Sequence, residues 1–176
     1  MSSKVASISL EIAKRAQLLA TLAMTALGFL LPFAIHFFPT FQGTPVGAMF
    51  IPMFYMPFIA SLFFRFHVGF IAAALAPVLN YAITGHPTIN LVTILTIEMS
   101  AFVVVAFFLN HHKLFRYISA PLSYLIVKVF SLLLLTIIPS LISIAPIDFF
   151  INSISTAVPG IVILTLLNLI LIKFKK

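Results

Sequence analysis

Six apolar runs, separated by polar breaks of only a few residues, dominate this chain. They cover residues 17–38, 46–64, 68–83, 91–109, 119–143 and 151–172. A helix of about 20 apolar residues crosses a bilayer core. The runs do not alternate apolar with polar residues, as strands of a membrane barrel do. The expected fold is an all-α membrane protein, a bundle of six transmembrane helices forming one domain over residues 1–176. Breaks such as PTFQGTP, RFH and TGHPTIN are short enough to make successive helices antiparallel, and they leave no room for a second domain.

Composition supports the same class. The chain is 62% hydrophobic and 7% charged, where soluble domains carry roughly 25% charged residues. That excludes a cytosolic enzyme or an extracellular binding domain, and such hydrophobicity also excludes disorder. With no cysteine, neither a disulfide framework nor a thiolate metal site can form. The net charge of +7 points to a membrane surface rather than to nucleic acid, because of where the charges fall.

Lys4, Lys14 and Arg15 precede the first run, and Arg65 follows the second. Lys113 and Arg116 follow the fourth, and Lys173, Lys175 and Lys176 end the chain. In a six-span arrangement nine of the ten basic residues share one face, which places both termini in the cytoplasm. The first apolar run is longer than the core of a secretory signal and is read as a retained helix. Residues 1–15 are expected as a cytoplasmic or interfacial segment, a short helix with Val5, Ile8 and Ile12 on one side. No internal repeat is visible, so an inverted-repeat transporter finds no support.

Two charges remain at membrane depth. Glu98 lies in the fourth run, roughly 10 Å below its outer end, and Lys128 lies roughly 16–22 Å deep in the fifth. A charge facing lipid costs on the order of 2.5–3.5 kcal/mol, so both should face protein or a wet cavity. Either they line a site for a polar ligand, or they neutralise each other, directly or bridged through Asn80 or Tyr81. Uncharged polar residues gather at the expected outer ends: Asn80, Tyr81 and Thr84, then His86 and Asn90, then Asn152, Ser153, Ser155 and Thr156. As a group they suggest an outward-facing polar cup. Singly they suit helix caps, Asn90 for the fourth span and Asn152 or Ser153 for the sixth. Pro32, Pro52, Pro57, Pro77, Pro139 and Pro159 fall in or near the same outer halves. There they would kink the helices and splay the bundle.

Ala13, Ala16, Ala20 and Ala23 recur at helical spacing in the first span. Such a stripe lets another helix approach closely, whether a partner's or one of this chain's own. Ala72, Ala73, Ala74 and Ala76 give the third span a small surface too.

The run AMFIPMFYMPFIASLFFRFHVGFIAAALAPVLNYAITGHPT resembles the second and third helices of the substrate-binding S components of energy-coupling factor (ECF) transporters. Pro52-Met53, Pro57, Pro77 and Thr84-Gly85-His86-Pro87 occupy the places of that family's motifs. The stretch ending at His36 resembles the end of the family's first helix, and Glu98 an acidic residue of its fourth. Pro52 and Pro57 stand one residue farther apart than in the family's pattern, and Phe54 or Tyr55 stands where a histidine is expected. The resemblance covers roughly residues 13–110. It implies a membrane subunit that captures a vitamin or related micronutrient from outside. The expected substrate-binding residues are Glu98, Lys128, Asn80, Tyr81, His86, Asn90, Asn152 and Thr156. The alanine stripe, Ala13, Ala16, Ala20 and Ala23, would dock on a T component driven by two ATPases. The chain itself would hold no cofactor, ATP being used by those partners.

Other readings are a small channel or accessory subunit, and an intramembrane enzyme. No phosphate loop or HExxH motif is present, and the pair His111-His112 lies beside Lys113 and Arg116 in an inner connection. Because the chain lacks cysteine, single-cysteine labelling reads the topology directly. We predict that His86→Cys is labelled from outside intact cells and Lys113→Cys only after permeabilisation; the opposite pattern would overturn the orientation.

Overall fold

The computed structural model describes the backbone of residues 3–35, 37–38, 40–41 and 43–174, with side chains from Glu11 onward. The expected interfacial face of Val5 and Ile8, the resemblance at His36, and Lys175 and Lys176 lie outside the described residues.

The first helix, α1 (Ser3–Ile35), has 33 residues, so it is about 50 Å long. It runs unbroken through the segment expected to form a separate short helix, because nothing between Ser3 and Gly28 interrupts helix propensity. Pro32 removes the bond to the Gly28 carbonyl, and the helix ends three residues later.

The expected second span, 46–64, is not one helix. It divides into α2 (Val46–Phe50), a 3-10 turn (Pro52–Phe54) and α3 (Tyr55–Phe63). The break is at Ile51, which is left-handed, with φ 44° and ψ 45°. Proline at 52 disfavours the right-handed helical region for the residue before it, and a β-branched residue with positive φ is a costly alternative. Local bonds hold it. Ile51 N–H donates to the Gly47 carbonyl at 3.1 Å, and Phe54 N–H donates to the Ile51 carbonyl at 3.1 Å. The Tyr55 hydroxyl donates to the Phe50 carbonyl.

The central helix is α4 (Phe66–Thr84), which packs against α1, α3 and the following helix, α5 (Ile89–His111). Its small residues allow this: Ala72, Ala73 and Ala76 are fully buried. The alanine surface of the third span is therefore internal packing. α4 stops at Gly85, whose positive φ of 71° suits glycine, with its N–H on the Tyr81 carbonyl at 2.8 Å.

A 3-10 turn (Arg116–Ile118) leads into α6 (Ser119–Ile137). This helix ends ahead of Pro139, short of the expected boundary at 143, as the restriction on residues preceding proline requires. The last expected span, 151–172, is a bent pair: α7 (Pro146–Thr156) and α8 (Val158–Phe174), meeting at 58°. Pro159 cannot supply the N–H that would continue α7 through Ala157.

Among the described residues four helices are thus long and apolar enough to cross a membrane, and the bent pair makes a fifth candidate. The apolar segment Pro52–Phe63 spans only about 18 Å, too short to cross alone. Exposed Leu18, Leu22, Leu133, Ile137, Leu166 and Ile170 form an apolar exterior. That surface suits lipid and fits a multi-pass membrane protein. Among the described residues no strand forms, only a bridge between Phe41 and Thr44.

Two contacts close the interior. Phe54 meets Phe102 and Tyr124 edge-on, with centroids at 5.1 and 5.2 Å; each such pair contributes about 0.5–1.5 kcal/mol beyond its burial. Nearer the basic ends, fully buried Asn168 on α8 donates to the Arg116 carbonyl at 3.1 Å and the Tyr117 carbonyl at 2.5 Å. Ser119 Oγ donates to Asn168 Oδ1 at 2.8 Å. The Asn168 amide thus ties α8 to the 3-10 turn that leads into α6.

Gly160 marks the tightest crossing. A Cβ there would lie 2.7 Å from the Phe50 carbonyl oxygen and closer still to Ile51 Cγ1. A Cβ at Gly28 would come no nearer than 3.5 Å to another atom. We predict that Gly160→Ala destabilises the protein by about 1–3 kcal/mol, read as a lower unfolding midpoint in detergent, while Gly28→Ala is neutral or stabilising. Equal midpoints for the two variants would refute the close crossing of α8 on the Ile51 break.

Candidate functional site

The broken helices enclose a cavity of about 820 Å³. Its wall draws on the C-terminal ends of α1 and α4, the segment 45–54, the N-terminal end of α5, the middle of α6, and α7. Basic residues flank the other ends of these helices: Lys14 and Arg15 on α1, Arg65 before α4, Lys113 after α5, and Lys173 on α8. The hollow and the basic collar therefore lie at opposite ends of the bundle.

Five of the expected binding residues line this cavity: Lys128, Asn80, His86, Asn152 and Thr156. Among the described residues, Lys128 is the only Lys, Arg, Asp or Glu on the wall. It does not stand alone. Its Nζ donates to Glu98 Oε1 at 3.0 Å and Oε2 at 2.8 Å, and the two side chains are 7% and 1% exposed. Such burial of an unpaired charge would be prohibitive. Glu98 itself is not part of the wall; it sits behind Lys128 as counter-ion. Of the two roles open from the sequence, the self-neutralising pair is the one observed, made directly and without Asn80 or Tyr81. The ammonium also lies 5.6 Å from the Tyr124 ring centroid and 5.7 Å from that of Phe149, within cation–π range. Tyr124 precedes Lys128 by one helical turn, so both fall on the same face of α6.

Asn80 is fully buried near the end of α4. Its Nδ2 donates to the His86 carbonyl at 3.1 Å. A carbonyl only accepts, so this contact fixes the amide orientation. Asn80 Oδ1 is left buried with no hydrogen-bond partner among the described residues. The Thr84 hydroxyl donates to the Asn80 carbonyl at 2.6 Å and accepts the His86 N–H at 3.2 Å. The turn after α4 is thereby tied to its helix and holds His86 at the rim.

Tyr81 and Asn90 do not line the main cavity. Tyr81 lies next to Asn80 along the helix, and neighbouring helical positions point about 100° apart. Asn90 borders a separate hollow of about 200 Å³, beside Leu141 and Ser143. The capping roles are not realised either. Asn90 sits inside α5, whose N-cap is Thr88, and Asn152 and Ser153 sit inside α7, whose N-cap is Ala145.

The sequence reading missed most of the wall: Phe33, Phe37, Phe54, Tyr124 and Phe149 all contribute rings. Nothing in local periodicity separates these phenylalanines from the others that face lipid or core. Only Tyr124 carried a signal, its one-turn spacing from Lys128. The alanine stripe is mostly exposed. Ala13, Ala16 and Ala23 are exposed and Ala20 is half-buried. The apolar stretch of α1 is 17% buried, against 39% for those of α4, α5 and α6.

No family model, no curated protein and no solved structure matches the chain.

The ion pair yields a test by replacement. Removing one partner of a buried pair typically costs about 3–5 kcal/mol, whereas replacing both by apolar residues is often near neutral. We predict that Lys128→Met and Glu98→Leu each destabilise the protein strongly, and that the double variant recovers most of the loss. A double variant whose unfolding midpoint falls by the sum of the two single effects would show that the charges do not interact.

Proposed function

We propose that this chain is a substrate-capture subunit of a prokaryotic cell-membrane importer, of the kind represented by the S components of ECF transporters. In this reading the chain spans the membrane six times, with both termini in the cytoplasm. The α2–α3 segment then counts as a broken span. The cavity faces outward and takes a vitamin or related micronutrient. The observation that carries the reading is the cavity itself. Its volume, about 820 Å³, falls in the range of small-molecule sites, which are mostly apolar with a few placed polar groups.

Three features support capture rather than conduction or catalysis. The wall stops short of the basic helix ends, where the Asn168 contacts fasten α8 to the start of α6. A pore would need polar groups continuing through that region. Among the described residues no group of three metal-ligating side chains forms, and the cavity wall pairs no nucleophile with a base. The exposed alanines on weakly packed α1 offer a smooth face on which a T component can seat. ATP hydrolysis by two partner ATPases would then drive uptake.

Native mass spectrometry of the purified protein should find a retained small molecule. Ala16→Leu should reduce co-purification with the T component several-fold and leave solute retention unchanged. Uptake and co-purification at wild-type levels in Ala16→Leu would remove the stripe from docking; a chain that neither retains nor takes up any solute would remove the capture reading.

A further inference from the structure

We propose that the cavity selects an uncharged, ring-bearing molecule that donates an N–H or O–H to Asn80 Oδ1, and discriminates against carboxylates, phosphates and cations. This inference rests on the capture reading and specifies the chemistry of what is captured.

The charge argument comes first. Among the described residues Lys128 is the sole formal charge on the wall, and Glu98 already balances it. An incoming anion has two options. It leaves the pair intact and adds a net negative charge to a wall built largely of carbon. Or it draws Lys128 away and strands Glu98, which is 1% exposed. Both are costly, because a buried charge without a partner is strongly disfavoured. The rings of Tyr124 and Phe149 flank the same ammonium and restrict approach to it further. A cation fares no better, since the wall offers no free carboxylate. A neutral molecule leaves the pair undisturbed.

The hydrogen-bonding argument is independent. Asn80 lines the cavity, is fully buried, and engages its amide N–H with the His86 carbonyl. Its Oδ1 has no partner among the described residues. A buried acceptor left unpaired is costly, and a site built around one discriminates in favour of a ligand that supplies the donor. The same wall carries Phe33, Phe37 and Phe54, from elements other than the one that holds Asn80. Such rings favour flat, apolar partners through offset or edge contacts.

The test uses the full chain in lipid nanodiscs, with protein-free nanodiscs of the same lipid as the blank for partitioning. Three probes share one ring system: naphthol, which is neutral with an O–H donor; its methyl ether, which lacks the donor; and naphthoate, which carries a carboxylate. Equilibrium dialysis should show saturable binding of naphthol, with the ether and naphthoate each at least about tenfold weaker. In Asn80→Leu, naphthol and its ether should bind equally. In Glu98→Gln, where the amide still accepts from Lys128 but no longer balances its charge, naphthoate should gain at least about tenfold. The wild-type comparison decides the matter even where a variant fails to fold. Naphthoate binding as tightly as naphthol, an ether as good as naphthol, or no saturable naphthol binding would each overturn the proposed selectivity. Tight naphthoate binding would do so while leaving solute capture standing. Loss of all three leaves capture to be judged by the retained solute.

Discussion

The arrangement depends on one buried ammonium–carboxylate contact. Lys128 on α6 and Glu98 on α5 meet through two hydrogen bonds of 3.0 and 2.8 Å, in a chain where 7% of residues are charged. Either charge left without the other in an apolar bundle would be strongly destabilising. Together they fix the rotation of α5 against α6, because each side chain must point at the other. That rotation turns Tyr124, one turn away, toward the same hollow. The pair also sets the electrostatics of the cavity. Its wall holds a charge, yet the site as a whole is close to neutral.

Prolines shape the remainder. Pro52 accompanies the left-handed Ile51 and the break between α2 and α3, and Pro159 accompanies the 58° bend between α7 and α8. The two breaks meet, since Gly160 lies against Phe50 and Ile51. A straight helix at either position would carry its side chains past the bundle axis and fill the hollow. Broken segments instead leave short helices around a gap, with polar side chains of α7 at its edge. Elsewhere Ala72, Ala73 and Ala76 let α4 pack closely, and the amide of Asn168 ties α8 to the start of α6.

The legible part of the site was its polar part. Five of the eight residues expected to bind substrate line the cavity, because a polar atom in an apolar run needs a partner and so has few places to go. Glu98 was recognisable as buried, but its role behind Lys128 depended on which rotation α5 adopts. Tyr81 and Asn90 were misplaced for the same reason: a neighbour along a helix can face the opposite way. The aromatic wall was illegible. Phenylalanine serves lipid-facing, core and cavity surfaces equally well, and the chain has 20 of them.

By itself, the sequence determined the solvent this protein must inhabit, its helical class and the sorting of its basic ends. All three follow from hydropathy and charge, which are properties of local composition. It did not determine the number of unbroken helices, since a proline marks a possible break without showing whether the chain bends, unwinds or stops. Only the tertiary structure decided that Ile51 would turn left-handed, that α7 and α8 would meet at 58°, and that Lys128 would find Glu98. Prolines mark the first two places locally, but the course the chain takes there, like the partner Lys128 meets, goes with packing between residues far apart, such as Gly160 against Phe50 and Ile51.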